Sequence, residues 1–502
     1  MDIRFYNTLT HRMETFAPVE PGHVYMYNCG PTVYDFAHIG NFRTFTFADV
    51  LRRFLESAGY DVHQVMNITD VGHMTEDQVA DGAGQDKMQV AMARMAEAKK
   101  AGTLTADEVA DPNDPYQVAE YYTQAFVRDA KQLRLKIADE PDHMPRATAH
   151  VEQMLAIIKK LVDDGHAYVA DDGAVYFNVE QFPDYGRLSG NTLDKLRGGA
   201  GGRISDEHQA GKRHPADFLL WKPDPRHVMR WDSPFGEGYP GWHIECSAMA
   251  MHTLGREVID IHTGGEDNIF PHHECEIAQS RCYSGREHFA RYWLHARLMF
   301  VEGRKMSKSL GNFHTVRDVL EGRVTGRRVD PAVLRFELMS AHYRSNLNFT
   351  VKGLEDGAAA VRRIRDAAAG FAGKAGDRVV EVGNDHPAVQ RFLAPLADDL
   401  NTAGAIAAVF EYLRDDIADP AEALAVLRRF DEVLAVLPVE GVSDVVEAGA
   451  GEDEAATLAK QIDEARANKD YATADALRQQ LIDAGYDVKT TPEGTVASPR
   501  LA

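Results

Sequence analysis

A chain of 502 residues is too long for one hydrophobic core and predicts several domains. Its 44% hydrophobic and 26% charged content is that of a globular protein; no apolar run reaches membrane-spanning length, and Met1-Asp2-Ile3-Arg4-Phe5-Tyr6 lacks the apolar segment of a secretion signal. A net charge of −22 argues against loose, sequence-independent attachment to nucleic acid, and four cysteines are too few for a disulfide framework, which points to a reducing cytoplasm and to metal chemistry.

In chain order, residues 24–29 predict a buried strand. Phe47, Val50, Leu51, Phe54 and Leu55 then recur at helical spacing, with Gly59 as the stop, and residues 62–68 return as a second strand. This is a βαβ unit, and open α/β sheets bind ligands at the carboxyl ends of such strands. Residues 75–115 look peripheral, with a helix over 88–100; beyond them come a helix over 151–162 and a strand over 174–179. Gly198-Gly199-Ala200-Gly201-Gly202 is a turn rather than a phosphate loop, because no strand precedes it and no helix follows. The sheet is expected to resume at 258–262 and again at 298–301, so the first domain is split by an insertion. From about residue 332 the pattern is helical (334–343, 358–371, 388–413, 421–437), then an acidic linker over 439–450, then helices around 458–468 and 471–484. A basic track of Arg304, Lys305, Lys308, Arg323, Arg327, Arg328, Arg335, Arg344, Arg362, Arg363 and Arg365 runs through this half, and solvated helix faces are the competing reading of it.

Two motifs carry chemistry. His38-Ile39-Gly40-Asn41 lies at the turn into the first helix, where an imidazole can donate to phosphate oxygens and a glycine lets a ligand approach the backbone. Lys305-Met306-Ser307-Lys308-Ser309 puts two lysines three apart on a loop, suited to neutralising a triphosphate as pyrophosphate departs. Each is weak alone; together and in this order they are specific. The strand before His38 ends in Cys29. Trp242-His243-Ile244-Glu245-Cys246 and Pro271-His272-His273-Glu274-Cys275-Glu276 add a thiol, imidazoles and carboxylates, the ligand types zinc accepts.

The two motifs form the signature pair of class I aminoacyl-tRNA synthetases, and their setting resembles the cysteinyl branch over nearly the whole chain. The matching segments are Asn7-Thr8-Leu9-Thr10, residues 29–43, Asn67-Ile68-Thr69-Asp70, 240–249, 271–280, 305–312, 398–402 and 468–477. The resemblance implies a Rossmann catalytic domain split by an insertion and followed by all-helical C-terminal modules. The implied segments are catalytic halves at 1–118 and 239–300, an insertion at 119–238, the lysine loop and stem-contact region at 301–353, a helical tRNA-binding domain at 354–440, a linker at 441–454 and an anticodon-side module at 455–502. It implies one Zn2+ per chain on Cys29, Cys246, His272 and Glu276, Mg2+ entering with ATP, and an amino-acid pocket lined by Thr32, Thr69 and Trp242. His38, Gly40, Asn41 and Lys308 would meet ATP, with His38, Asn41, Lys305 and Lys308 catalytic. L-cysteine, ATP and tRNA(Cys) are the implied partners of a cytoplasmic monomer that needs no membrane.

Several positions leave alternatives. On a helix beginning near His272, residues 275 and 276 both face the same side, so ligand softness favours Cys275 while the resemblance favours Glu276. Cys282 has no such company. The first signature ends in Asn41, where the class commonly has a second histidine, and Val71-Gly72-His73-Met74 replaces the paired aspartates of many relatives, so His73 is expected to be structural. The competing functions are a ligase joining cysteine to an amino sugar on the same catalytic domain, and an inactive binding paralogue. Residues 455–500 resemble the family's terminal RNA-binding module, which the amino-sugar ligase does not need.

Overall fold

The computed structural model describes residues 1–73, 86–105, 107–193, 211–438, 451–468, 470–483, 486–491 and 494–499. The turn expected at 198–202 and the linker expected at 439–450 lie outside the described residues. Two compact units emerge. The first comprises 1–316, 338–348 and 382–416; the second comprises 317–337, 349–381 and 417–502.

The first unit is organised by a parallel four-stranded sheet. Strand β1 (His23–Asn28) is followed by helix α1 (Ile39–Ser57) and β2 (Asp61–Met66). After a long excursion come α2 (Trp242–Leu254), β3 (Ile259–Gly265), α3 (Glu274–Ser284) and β4 (Ala290–Ala296). The spatial order is β4-β3-β1-β2, all parallel. The strand order therefore reverses between β1 and β3, because β2 is added on one side of β1 and β3 on the other, and the crevice at their carboxyl ends is the expected ligand position. All seven residues of β3 are buried. A strand covered on both faces loses the period-two alternation that marks strands in sequence.

The excursion between β2 and α2 holds helices Lys87–Lys100, Pro115–Gln132 and Val151–Asp163 and an antiparallel sheet of Ala167–Val169, Val175–Phe177, Phe218–Pro223 and Gly238–Pro240. Its apolar face joins the main core, where Phe177, Phe218 and Trp221 are buried in one cluster with Tyr27, Ile244 and Trp293. A bidentate ion pair fastens α1 to it: Arg52 Nη1 and Nη2 lie 2.8 and 2.6 Å from the two oxygens of Glu140.

Three expectations need correction. A strand does form at Met299–Val301, but outside the parallel sheet; the edge strand is Ala290–Ala296. Glu302 and Gly303 both take positive φ (49° and 73°), the geometry of a two-residue hairpin turn, so the chain folds back antiparallel through Arg304–Lys305. The helix expected over 388–413 is two helices, Pro387–Ala397 and Thr402–Tyr412. Between them Asp399 and Leu400 are left-handed, held because the Asp399 carboxylate accepts from the Tyr6 N–H (2.8 Å) and the Tyr343 hydroxyl (2.6 Å). The last module adds a hairpin, Tyr486–Thr491 with Gly494–Pro499, to helices Gly451–Ala467 and Tyr471–Asp483. Ile462, Ala474, Leu481 and Val488 are buried in its own small core.

Within the second unit, helix Val351–Ala375 packs against Pro420–Leu434. Much of the basic track is engaged in the protein: Arg335 is buried and donates to the Leu434 carbonyl (2.7 Å), Arg365 pairs with Asp330 (2.6 Å), and Arg323 pairs with Asp318 and Glu321. In the first unit Arg344 Nε lies 2.6 Å from Asp399.

Candidate active site and metal centre

Cys29 follows the last residue of β1, and Cys246 lies in the second turn of α2. An irregular turn, Ile269–His273, carries His272 and runs into α3, whose first turn holds Glu276. These elements converge at the carboxyl end of the sheet. One ligand atom from each of Cys29, Cys246, His272 and Glu276 lies within 4.8 Å of the others, and all four residues are buried. The sulfurs are 4.0 Å apart, Cys29 Sγ is 3.9 Å from Glu276 Oε1, and His272 Nε2 is 3.1 Å from the same oxygen. Cys275 points elsewhere, with its sulfur 3.4 Å from the Tyr185 hydroxyl.

The electrostatics of the quartet suit a cation. Burial pulls the His272 imidazole down, but Cys246 and Glu276 outweigh it and raise its pKa to about 10. Burial pushes Glu276 up, yet His262 and His272 hold it at about 2. Burial also pushes Cys246 up, and hydrogen bonding to Cys29 together with His272 brings it down to about 7. Burial, then Cys246, raises Cys29 well above the ordinary thiol range. Negative charge is thus stored against a proton on His272, which a dication can displace. His272 Nδ1 lies 2.8 Å from His243 Nδ1, and burial keeps His243 neutral and able to accept. That is the outer hydrogen bond a ligating histidine needs, with Nε2 left for the ion. The described residues therefore fit a metal ion.

The sequence reading missed a second ring of histidines. His262 Nε2 sits 3.1 Å from Glu276 Oε2 and stacks on Trp293 at 4.5 Å. His273 Nε2 is 3.2 Å from Cys29 Sγ, while His273 Nδ1 is 2.7 Å from His295 Nε2; His295 Nδ1 is in turn 2.9 Å from Thr8 Oγ1. Cys29, His262, His273 and Glu276 form an overlapping group of possible ligands. The second thiol favours the quartet for a borderline-soft ion such as zinc. No sequence pattern marks these histidines as a group, because they meet only where separate segments fold together.

The residues expected to line the amino-acid pocket lie nearby. Thr32 pairs with Thr69 in an isolated parallel bridge, and Asn67 ties both sides, accepting from Gly30 N at 2.8 Å and donating to Thr69 Oγ1 at 3.0 Å. A Cβ at Gly30 would lie 1.7 Å from the Asn67 carbonyl oxygen, so only glycine fits there. The Trp242 ring lies 4.5 Å from that of His272. His73 Nε2 is 2.8 Å from Glu245 Oε1, both buried, and burial, then Asp70, raises the Glu245 carboxyl well above its usual range.

At the first signature, His38 caps α1. Its Nδ1 accepts from Asn41 N (3.1 Å), while Asn41 Oδ1 accepts from His38 N (3.1 Å), a reciprocal capping box. Gly40 leaves room for Met306, whose methyl would lie 2.8 Å from a Cβ there. The second signature meets this turn. Lys308 forms an ion pair with Asp35, which Arg94 also contacts at 3.0 Å, and its ammonium lies 5.1 Å from the Phe313 ring, itself 4.8 Å from His38. Lys305 stays exposed on the hairpin, where its charge is felt by Asp267.

Residues 15–359 match the family described as tRNA synthetases class I (C) catalytic domain. The chain is 44% identical to a cysteine–tRNA ligase of Salinibacter ruber, across 98% of this chain and 97% of the relative. It is 40% identical to one of Solibacter usitatus (98% and 99%) and 39% identical to one of Chlamydia pneumoniae (99% and 98%). The chain belongs to the cysteine–tRNA ligase family. Solved structures at low identity agree on the fold. The LeuRS–tRNA–LeuAMS complex of Agrobacterium radiobacter K84 matches with TM-score 0.53 at 12% identity, covering 84% of each chain. Methionyl-tRNA synthetase of Mycobacterium tuberculosis matches with TM-score 0.50 at 13% identity, covering 82% of this chain and 90% of the other. The expected class I synthetase architecture is therefore the observed one. No described helix is long and apolar enough to cross a membrane.

Proposed function

We propose that this chain activates L-cysteine with ATP and transfers the cysteinyl group to the terminal ribose of tRNA(Cys). The observation that carries the reading is the buried two-thiol quartet set beside the His38 turn where Lys308 arrives. Cys29, Cys246, His272 and Glu276 would hold one Zn2+, which supplies a strong, selective bond to a substrate thiolate. Thr32, Thr69 and Trp242 then border the amino acid.

In the first step a cysteine carboxylate oxygen bonds to the α-phosphorus of ATP, whose Mg2+ travels with it, and the bond to the departing pyrophosphate breaks. In the second, a ribose hydroxyl of the tRNA attacks the acyl carbon and AMP leaves. The residues position groups and stabilise charge; none forms a bond to substrate. Because His38 Nδ1 accepts from the backbone, its proton sits on Nε2, which becomes a fixed donor toward phosphate. Lys308 exchanges Asp35 for the negative charge that builds as pyrophosphate leaves, with Lys305 reinforcing it.

Residues 119–238 are assigned to holding the acceptor end, and 301–353, 354–440 and 455–502 to the rest of the tRNA. A reducing cytoplasm is the simplest setting for four free cysteines, and the chain is assigned as a monomer on the resemblance alone. The match over nearly the full length of tRNA-charging relatives favours this reading over an amino-sugar ligase, and the Lys305–Lys308 loop favours it over an inactive paralogue.

Pyrophosphate exchange and tRNA(Cys) charging test it. Exchange should run with cysteine and fall by roughly 10⁴-fold or more with serine, because a pocket built around one strong bond rejects the analogue lacking it. Serine accepted within about tenfold of cysteine would overturn the specificity account, and cysteine-dependent exchange without charging would overturn the tRNA assignment.

A further inference from the structure

We infer a second divalent-metal site, made by His23, Asp61 and His63 at the amino ends of the central strands, the opposite end of the sheet from Cys29. β1 opens with His23 and β2 with Asp61. Their parallel register sets His23 against Asp61 and Tyr25 against His63. Alternate residues of a strand share a face, so all four side chains project to the same side. His23 Nδ1 and His63 Nε2 each lie 3.2 Å from one oxygen of Asp61, and the three donor atoms fall within 4.8 Å of one another.

The spacing fits an ion. Tetrahedral zinc with bonds near 2.0–2.1 Å holds its donors about 3.3 Å apart. His23 Nδ1 is itself a buried atom with no hydrogen bond, 3.2 Å from that carboxylate oxygen. The rings are held in advance. His63 stacks on Tyr25 (5.0 Å, 11° between planes) and on His23 (5.8 Å, 23°). Tyr25 is fixed in turn, donating to Glu20 (3.2 Å), accepting from Arg256 (2.6 Å) and lying under its guanidinium at 3.7 Å. With side chains 41%, 64% and 40% exposed, the trio leaves the remaining coordination positions to water.

Two imidazoles and one carboxylate select a borderline cation such as Zn2+, Co2+ or Ni2+ over Mg2+ or Ca2+. A bound ion would clip β1 to β2 where the sheet begins. This site carries no thiolate, so its occupancy can be followed separately from that of the Cys29–Cys246 quartet.

Equilibrium dialysis of the full-length protein against Zn2+ tests the inference, with Co2+ loading as a second probe. Wild type should hold two equivalents, the second more weakly. His63→Gln and Asp61→Asn should each weaken that second equivalent by more than about 100-fold, beyond the roughly 10–100-fold that loss of an outer-sphere partner costs. Both should keep the sulfur-to-Co2+ charge-transfer band of the quartet. Cys246→Ala should do the reverse, losing that band and retaining the second equivalent. Two independent substitutions at exposed side chains guard against one failing to fold. A wild type that saturates at one equivalent, or variants that still bind two like wild type, would overturn it.

Discussion

The quartet and the Lys308 loop both serve the carboxyl end of one sheet, yet they are built on opposite terms. Cys29, Cys246, His272 and Glu276 are buried and surrounded by histidines whose hydrogen bonds fix each ring. Lys308 is largely exposed, and its hold on the His38 turn is one ion pair with Asp35 and proximity to Phe313. Burial makes the first region intolerant: removing one ligand strands charge in a place where it cannot be solvated. Exposure makes the second exchangeable, since a surface ion pair is worth at most about 1 kcal/mol and can be traded for phosphate. Selectivity is thus assigned to the rigid region, and charge stabilisation during reaction to the exchangeable one.

The largest test of that contrast is Cys246→Ala, which should abolish zinc at the quartet and cut cysteine activation by roughly 10⁴-fold. Metal content and pyrophosphate exchange measure the two losses. Cys275→Ser is the matched control. Its sulfur contacts the Tyr185 hydroxyl rather than the quartet, so the zinc of the quartet should remain. Zinc lost from Cys275→Ser but kept in Glu276→Gln would exchange the roles of these neighbours.

Lys308→Ala should act more modestly and on a different quantity. Loss of one charge-stabilising donor is worth on the order of 3 kcal/mol, or about 10²-fold in the rate of adenylate formation. Zinc content and cysteine affinity should stay at wild-type values, because the quartet does not depend on the loop. Pre-steady-state adenylate formation separates these. A Lys308→Ala enzyme with an unchanged rate would remove the lysine from the chemistry.

The same contrast explains what could be read from sequence. The βαβ core was legible because α1 alternates polar and apolar residues at helical spacing and Gly59, at φ 100°, stops it. The edge strand Ala290–Ala296 was not, since all but one of its residues are buried and no period-two pattern survives. The break at Asp399 was hidden for another reason: its left-handed backbone is set by partners at Tyr6 and Tyr343, far away in sequence. At the site, the motif residues were legible one by one. The histidines behind them were not, because His262, His273 and His295 acquire meaning only when β3, the turn before α3 and β4 lie side by side.

The smallest effect concerns the first signature. His38 is held neutral, chiefly by burial, with its pKa lowered to about 4. A histidine depressed in this way binds its proton in the unfolded chain first. Its contribution to stability is complete above the ordinary value near ~6.5 and is lost as pH falls toward about 4. In the folded enzyme the ring does not titrate at neutral pH, so the KM for ATP should be flat between about pH 6 and 8. Asn41→Ala removes one half of the capping box and should cost about 0.5–1 kcal/mol of stability. The His38 Nδ1 contact to the Asn41 backbone survives that substitution, keeping the tautomer and the flat profile. Denaturant unfolding and ATP-dependent exchange across that pH range check both parts. An inflection near pH ~6.5 in the wild-type KM for ATP would mean that a protonated His38, rather than a neutral Nε2–H donor, meets the phosphates.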